Sequence, residues 1–200
     1  MAKTNTTNLS AEMMANIQNY GKEIKTIEEF VEVVRQNPGY HLGSKGNKGL
    51  KNMDREIWQN SFDELDKHDS PCDWIRITFD ERTYGMSCED NGRGIPFGNI
   101  LRIYTNPNTS SNYEKKKGEY SSGLHGVGAK VVNAMSHRFI IESYRFDGEA
   151  RRVELTEGYP WNKGDKETRE VKIPNKEKKQ GTYVYFEPSI DALGEISVTW

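Results

Sequence analysis

Two glycine-rich breaks limit what this chain can fold into. The first, DNGRGIP at 90–96, follows directly on an alternating segment, WIRITFDERTYGMSCE. A strand that runs into Asp-Asn-Gly ordinarily turns back as a hairpin. Here Gly94 and Pro96 spoil a simple hairpin, and no alternating strand follows at once. The second break, GLHGVG at 123–128, passes straight into the apolar run AKVVNAMS, so its glycines open a helix. One break closes a strand and the other starts a helix. Between them lies 105–124, the longest stretch without a periodic pattern. A polar segment of that length inside a compact domain reads as a binding loop or a lid.

The remaining elements follow from spacing. IKTIEEFVEVVRQNP places Ile27, Phe30, Val31 and Val34 at helical intervals and stops before Pro38. GYHLGSKGNKG reads as a Gly-rich loop. LKNMDREIWQNSFDELDK, from Leu50 to Lys67, reads as a helix with Leu50, Met53, Ile57, Phe62 and Leu65 facing inward. Strands are expected at 73–80, 83–89, 138–146 and 149–156 and in GTYVYFEPS, with a short helix in FGNILRIY. Residues 1–20, polar and rich in Asn and Thr, are expected to form a flexible arm, and 21–200 one domain. Helices first, then strands with interleaved helices, predict an α+β fold. The expected form is a two-layer α/β sandwich: a mixed, mostly antiparallel sheet with helices on one face.

Charge excludes one class of function. The 30 acidic and 28 basic residues leave a net charge of −2, whereas a domain that grips nucleic acid electrostatically carries a basic excess. The sequence holds neither an apolar run long enough to span a membrane nor the apolar core of a secretory signal. Cys72 and Cys88 are isolated, which suits reduced thiols in a cytoplasm and argues against a zinc site.

Three motifs carry chemistry. Glu56 and Asn60 stand four apart on one helix face. An acid–amide pair is ordinarily a solvated stripe, but Asn is a mediocre helix former, and beside a carboxylate it suits a hard cation together with an acid that orients a water. The GLHGVG glycines allow backbone N–H groups to approach a phosphate, or serve as a hinge. DNGRGIP admits close approach of backbone to a ligand.

Taken in order, ExxxN, Asp-x-Gly-x-Gly and Gly-x-x-Gly-x-Gly resemble the three boxes of the GHKL superfamily of ATP-binding domains. DNGRGIP, GLHGVGAKVVNAMS, QGTYVYFEPS and RQNPGYHLGS are similar to the ATPase domains of type IIA DNA topoisomerases. TSSNY with EKKK is similar to the eukaryotic pattern, a mixture expected of a phage enzyme. The resemblance implies ATP and Mg2+ as ligands. Glu56 is implied as the general base and Asn60 as the Mg2+ ligand. It implies Asp90 as the acceptor of the adenine amino group, with Gly94, Ile95 and Pro96 lining the base and Thr182 sharing a water with Asp90. Glu64 and Arg93 are implied as a salt bridge beside the adenine. Ser110, Ser111 and Asn112 match contacts to ribose and phosphate. Gly123, Leu124, His125, Gly126, Val127 and Gly128, with Lys130, match a phosphate-wrapping lid. Arg145 matches a position that contacts aminocoumarins in bacterial members, and Tyr20 falls where one protomer's arm reaches its partner's nucleotide.

Two positions depart from the bacterial pattern: Asn52 stands where those enzymes carry a His that polarises the catalytic Glu, and His41 replaces a Tyr. The family's γ-phosphate Lys comes from a downstream transducer domain, so the chain is expected to be an ATPase domain of a larger subunit and a weak ATPase alone. Expected partners are a second copy in an ATP-dependent homodimer, the transducer domain, a cleavage subunit or domain, and duplex DNA held mainly by other regions. A MutL-type repair ATPase or a chaperone would share the boxes, but QGTYVYFEPS and PGYHLG favour the topoisomerase. A nucleotide-binding regulator that does not hydrolyse is the alternative from another class.

Overall fold

The structure is a computed structural model that describes residues 27–106, 127–159 and 170–197. Helix α1 (Ile27–Gln36) buries Phe30, Val31 and Val34. The stretch read as a loop holds helix α2 (Pro38–Leu42) and the first turn of α3 (Gly46–Leu65). Pro38 opens α2, where a missing N–H costs nothing, and Gly43 ends it in the left-handed conformation at φ 72. Gly49 lets α3 begin early. A Cβ there would lie 2.8 Å from both Leu193 Cδ1 and the Ser44 carbonyl oxygen.

On α3 the inward stripe is Leu50, Met53, Ile57 and Ser61, with Asp54 beside it. Phe62, expected inside, is 40% exposed and meets Trp58 edge-on at 5.3 Å. One residue beyond Ser61, it is rotated about 100° off the stripe. Leu65 is half-buried.

Six strands are present among the described residues: β1 (Ile75–Asp80), β2 (Gly85–Asp90), β3 (Ser136–Tyr144), β4 (Ala150–Thr156), β5 (Val171–Lys172) and β6 (Gly181–Pro188). Their order is β1-β2-β6-β3-β4-β5, and every pairing among the described residues is antiparallel. Alternation gives the sheet two characters. Met86, Cys88, Phe139, Ile141, Val153, Leu155, Val184 and Phe186 turn to one side and form the core with α1 and α3. The other side carries Arg and Glu pairs, among them Arg138 with Glu154 at 2.6 Å and Arg152 with Glu142 at 3.1 Å. Cys72 and Cys88 are both buried and free. Three short helices complete the described part: α4 (Ile100–Thr105), α5 (Gly128–Ala134) and α6 (Ile190–Leu193). No helix among the described residues is long and apolar enough to cross a membrane.

Two side chains fix α5, which carries one end of the site. Arg35 Nε donates to the Ala134 carbonyl at 2.7 Å, satisfying the end of α5, and its guanidinium pairs with Glu157 at 2.7 Å. Buried Asn133 donates to the carbonyls of Tyr104 (3.2 Å) and Gly158 (3.1 Å).

Asp54 sits uneasily in this core. It is buried, its Oδ1 has no hydrogen-bond partner among the described residues, and burial raises its pKa to about 7 from 3.8. A raised pKa favours folding where the group is protonated, so this contribution is full below about 4 and is lost as pH rises through about 7. Asp54→Asn should therefore raise Tm at pH 8, and the gain should shrink as pH falls from 7 to 4. Melting curves across that range test it; a gain that does not depend on pH would show that Asp54 is not the titrating group.

Candidate functional site

A cleft of about 1160 Å³ opens between α3, the loop after β2, and the start of α5. That exceeds the usual range of small-molecule sites and leaves room for a nucleotide. Its chemistry is distributed along α3.

At the C-terminal half of α3 the cleft ends on Asp90, the last residue of β2, which is 5% exposed. Its Oδ2 accepts the Ser61 hydroxyl at 2.8 Å, and its Oδ1 accepts the N–H groups of Gly92 at 3.0 Å and Thr182 at 3.3 Å. Thr182 reaches it because Asp90 and Thr182 are register partners across β2 and β6. Burial raises the carboxyl pKa, and these three hydrogen bonds hold it back. Glycine is required at two positions beside this residue. A Cβ at Gly181, whose φ is +121, would lie 1.9 Å from the Asp90 carbonyl oxygen, and one at Gly92 would lie 2.4 Å from Glu64 Cγ. Gly94, Ile95 and Pro96 continue the wall. The fully buried Ser143 hydroxyl accepts the Ile95 N–H and donates to the Ile95 carbonyl, both at 2.8 Å.

Glu64 and Arg93 form the pair expected of them. Glu64 Oε1 accepts Arg93 Nε at 2.9 Å and the Arg93 backbone N–H at 3.0 Å, and Oε2 accepts Nη2 at 3.1 Å. Ser70 donates to Oε1 at 2.7 Å. Burial works to raise the Glu64 pKa, but the bonds from Arg93 and Ser70 outweigh it and hold it at about 2.

Next to Ser61 on α3, and one turn further toward its N-terminus, stand Asn60 and Glu56. Asn60 Nδ2 donates to the Glu56 carbonyl oxygen at 2.9 Å, the back-bond that lets Asn sit mid-helix. Because a carbonyl only accepts, the Asn60 amide oxygen lies on the far side of the carboxamide, where a cation could reach it. The Glu56 carboxylate lies against the start of α5: a Cβ at Gly128 would fall 1.9 Å from Glu56 Oε2. Asn52 Nδ2 donates to the Leu42 carbonyl at 2.6 Å. His41 also lines the cleft, and burial lowers its pKa.

The Gly128 contact makes a prediction about stability. Gly128→Ala should force the Glu56 side chain aside, because the added Cβ would overlap Oε2, and this clash should offset the gain of up to about 1 kcal/mol that replacing a helical glycine ordinarily brings. A melting curve tests it; a Tm raised by the full gain would mean that Glu56 moves without cost.

Of the residues predicted from sequence, the cleft brings together Glu56, Asn60, Glu64, Asp90, Arg93, Gly94, Ile95, Pro96, Val127, Gly128 and Thr182, with Arg145 at its rim. Lys130 does not line it. It is 1% exposed, with its pKa lowered to about 8 by burial, because two residues past Gly128 it is turned about 200° around α5. Ser110, Ser111, Asn112, Gly123, Leu124, His125, Gly126 and Tyr20 lie outside the described residues.

Sequence reasoning missed Ser61, Ser143, Lys48 and Arg55. The first two had a signal, since each is a small polar residue at an inward position of an otherwise apolar stripe. Lys48 and Arg55 line the cleft from the N-terminal half of α3. Standing i, i+7 and flanking Asn52, they were readable as one face with Glu56.

The family model described as "Histidine kinase-, DNA gyrase B-, and HSP90-like ATPase" matches residues 48–192. The DNA gyrase B protein of Thermotoga maritima is 33% identical over 180 residues, covering 86% of this chain and 27% of that protein. The DNA topoisomerase 4 B protein of Staphylococcus aureus is 35% identical over 178 residues, covering 85% and 25%. The 43K ATPase domain of Thermus thermophilus gyrase B, solved in complex with an aminocoumarin, superposes with a TM-score of 0.60 at 26% identity, over 82% of this chain and 40% of that one. The chain thus spans about a quarter of the length of these curated relatives.

Proposed function

Because the chain belongs to the histidine kinase-, DNA gyrase B- and HSP90-like ATPase family, we propose that its cleft binds ATP with Mg2+ and hydrolyses it as the driving module of a type II DNA topoisomerase. The observation that carries this reading is the polarity of α3. The base-reading carboxylate, Asp90 held by Ser61, and the acid Glu56 line one cleft, with Asn60 between Ser61 and Glu56 on the helix. Ser61 and Glu56 are about 8 Å apart along the helix. A buried carboxylate demands a donor. Adenine offers its amino group there, whereas guanine presents a carbonyl and would leave Asp90 facing an acceptor.

Glu56 accepts a proton from the attacking water. As the water oxygen bonds to the γ-phosphorus, the bond to the β,γ-bridging oxygen breaks, and its electron pair leaves with ADP. Mg2+, when bound, neutralises charge on the phosphate oxygens. Asn60 would hold it through its amide oxygen, which fits an ion that keeps most of its ligands as water and phosphate. Arg93 and Glu64 brace the loop that carries Gly94 and Ile95.

In the whole protein, ATP binding would pair two copies around a DNA segment and hydrolysis would release them. A downstream transducer domain and a cleavage subunit or domain would supply strand breakage. The family description and the names of the relatives support this reading. Light scattering with a non-hydrolysable ATP analogue tests the pairing: the mass should double with analogue and Mg2+ and stay single with a GTP analogue. A protein that binds the analogue and remains single would remove the gate from this account.

A further inference from the structure

The cleft needs positive charge for a triphosphate, and most cations along its wall are committed elsewhere. Arg93 and Lys67 are held by Glu64, at 2.9 and 3.4 Å, and Arg93 also by Asp69 at 3.2 Å. Arg145 pairs with Asp147 at 3.3 Å and lies 5.5 Å from the Phe97 ring centroid. Among the described residues that line the cleft, two cations remain, both on the N-terminal half of α3. Lys48 forms no ion pair with another described residue. The Arg55 guanidinium reaches Glu56 Oε1 only at 3.8 Å, with 56% of its side chain exposed. An exposed pair at that distance is worth little, so a polyphosphate carrying several charges outcompetes the Glu56 carboxylate for it.

Resting on the nucleotide reading above, we propose that Arg55, assisted by Lys48, binds the terminal phosphates of the nucleotide. Helix α3 then carries the whole axis of recognition. Ser61 and Glu64 support the base-binding end, Asn60 and Glu56 follow toward the reacting centre, and Arg55 and Lys48 form the anionic end. Arg55 adjoins the base that takes the proton. On binding phosphate its guanidinium leaves Glu56 and turns to the γ-phosphate oxygens, where it stabilises the charge that spreads over them during transfer. Lys48, two turns along the same face, meets the polyphosphate from the N-terminal side of the cleft.

The test compares two probes, adenosine and a non-hydrolysable ATP analogue with Mg2+, titrated by calorimetry into wild type, Arg55→Ala, Arg55→Lys, Lys48→Ala and the double Ala variant. Both side chains are exposed, and melting curves confirm that the variants fold. Arg55→Ala should weaken the analogue about tenfold, the worth of one charge-assisted bond at an open site, while leaving adenosine unchanged. Arg55→Lys should recover most of that loss. Lys48→Ala should show a smaller loss, and the double variant at least the sum of the two. A merely structural role would move both probes together and would overturn the assignment. Equal affinity of wild type and the double variant for the analogue would overturn it while leaving the nucleotide site standing. A wild type that binds neither probe would overturn both.

Discussion

Glu56→Gln should reduce ATP hydrolysis by about 10²- to 10⁴-fold, the usual contribution of a positioned general base, while nucleotide binding stays within a few-fold of wild type. Gln keeps the shape of the carboxylate, so the contact with Gly128 and the helical wall is preserved. What it removes is the ability to take a proton from water. Neither neighbouring amide replaces it: Asn52 is committed to the Leu42 carbonyl, and Asn60 has no proton-accepting oxygen of comparable basicity. Single-turnover phosphate release, measured beside analogue binding, separates the two effects. If hydrolysis in the variant stays within about threefold of wild type, Glu56 is not the base. If the wild type itself binds ATP without turning it over, the chain acts as a nucleotide-responsive regulator.

Asp90→Asn should lower ATP affinity by about 10²-fold with little loss of stability. The fold tolerates the change because the backbone donors around Asp90 keep their partner. The Asn oxygen still accepts the N–H groups of Gly92 and Thr182, and the new NH2 donates to the Ser61 oxygen while the Ser61 hydroxyl turns toward the Cys88 sulfur 3.4 Å away. The adenine amino group, however, now meets a donor. Leaving a buried donor unpaired costs on the order of 1–3 kcal/mol, and the lost charge-assisted bond adds to that. Calorimetry with the ATP analogue reads the affinity and a melting curve reads the fold. Unchanged affinity in a folded variant would place the base elsewhere.

The parts of this account that rest on spacing were legible in the sequence. The placement of β1, β2, β3, β4 and β6 followed from alternation, and in the two glycine breaks Gly92 and Gly128 leave no room for a Cβ beside Glu64 and Glu56. Gly181 and Gly128, which admit Asp90 and Glu56, show what such glycines do. Phe62 was misplaced because a helix with an aromatic beside a small polar residue invites the larger one inward. Ser61 takes that place because Asp90 needs its hydroxyl. Helix α2 was hidden by Pro38, Gly39 and Gly43, which read as a turn, whereas Pro38 opens it and Gly43 ends it. Asn60 stood out as an odd helix residue, though its back-bond to Glu56 required the structure. Lys130 was grouped with the phosphate loop by proximity in sequence, while the rotation of α5 turns it into the interior.

The most direct test of the central claim is a competition titration of the wild-type chain with an ATP analogue and a GTP analogue, each with Mg2+. The account predicts saturable one-site binding of the adenine nucleotide and at least about tenfold weaker binding of the guanine nucleotide, because Asp90 offers only an acceptor to the base. Equal binding of the two would mean that Asp90 does not read the base and would contradict the account.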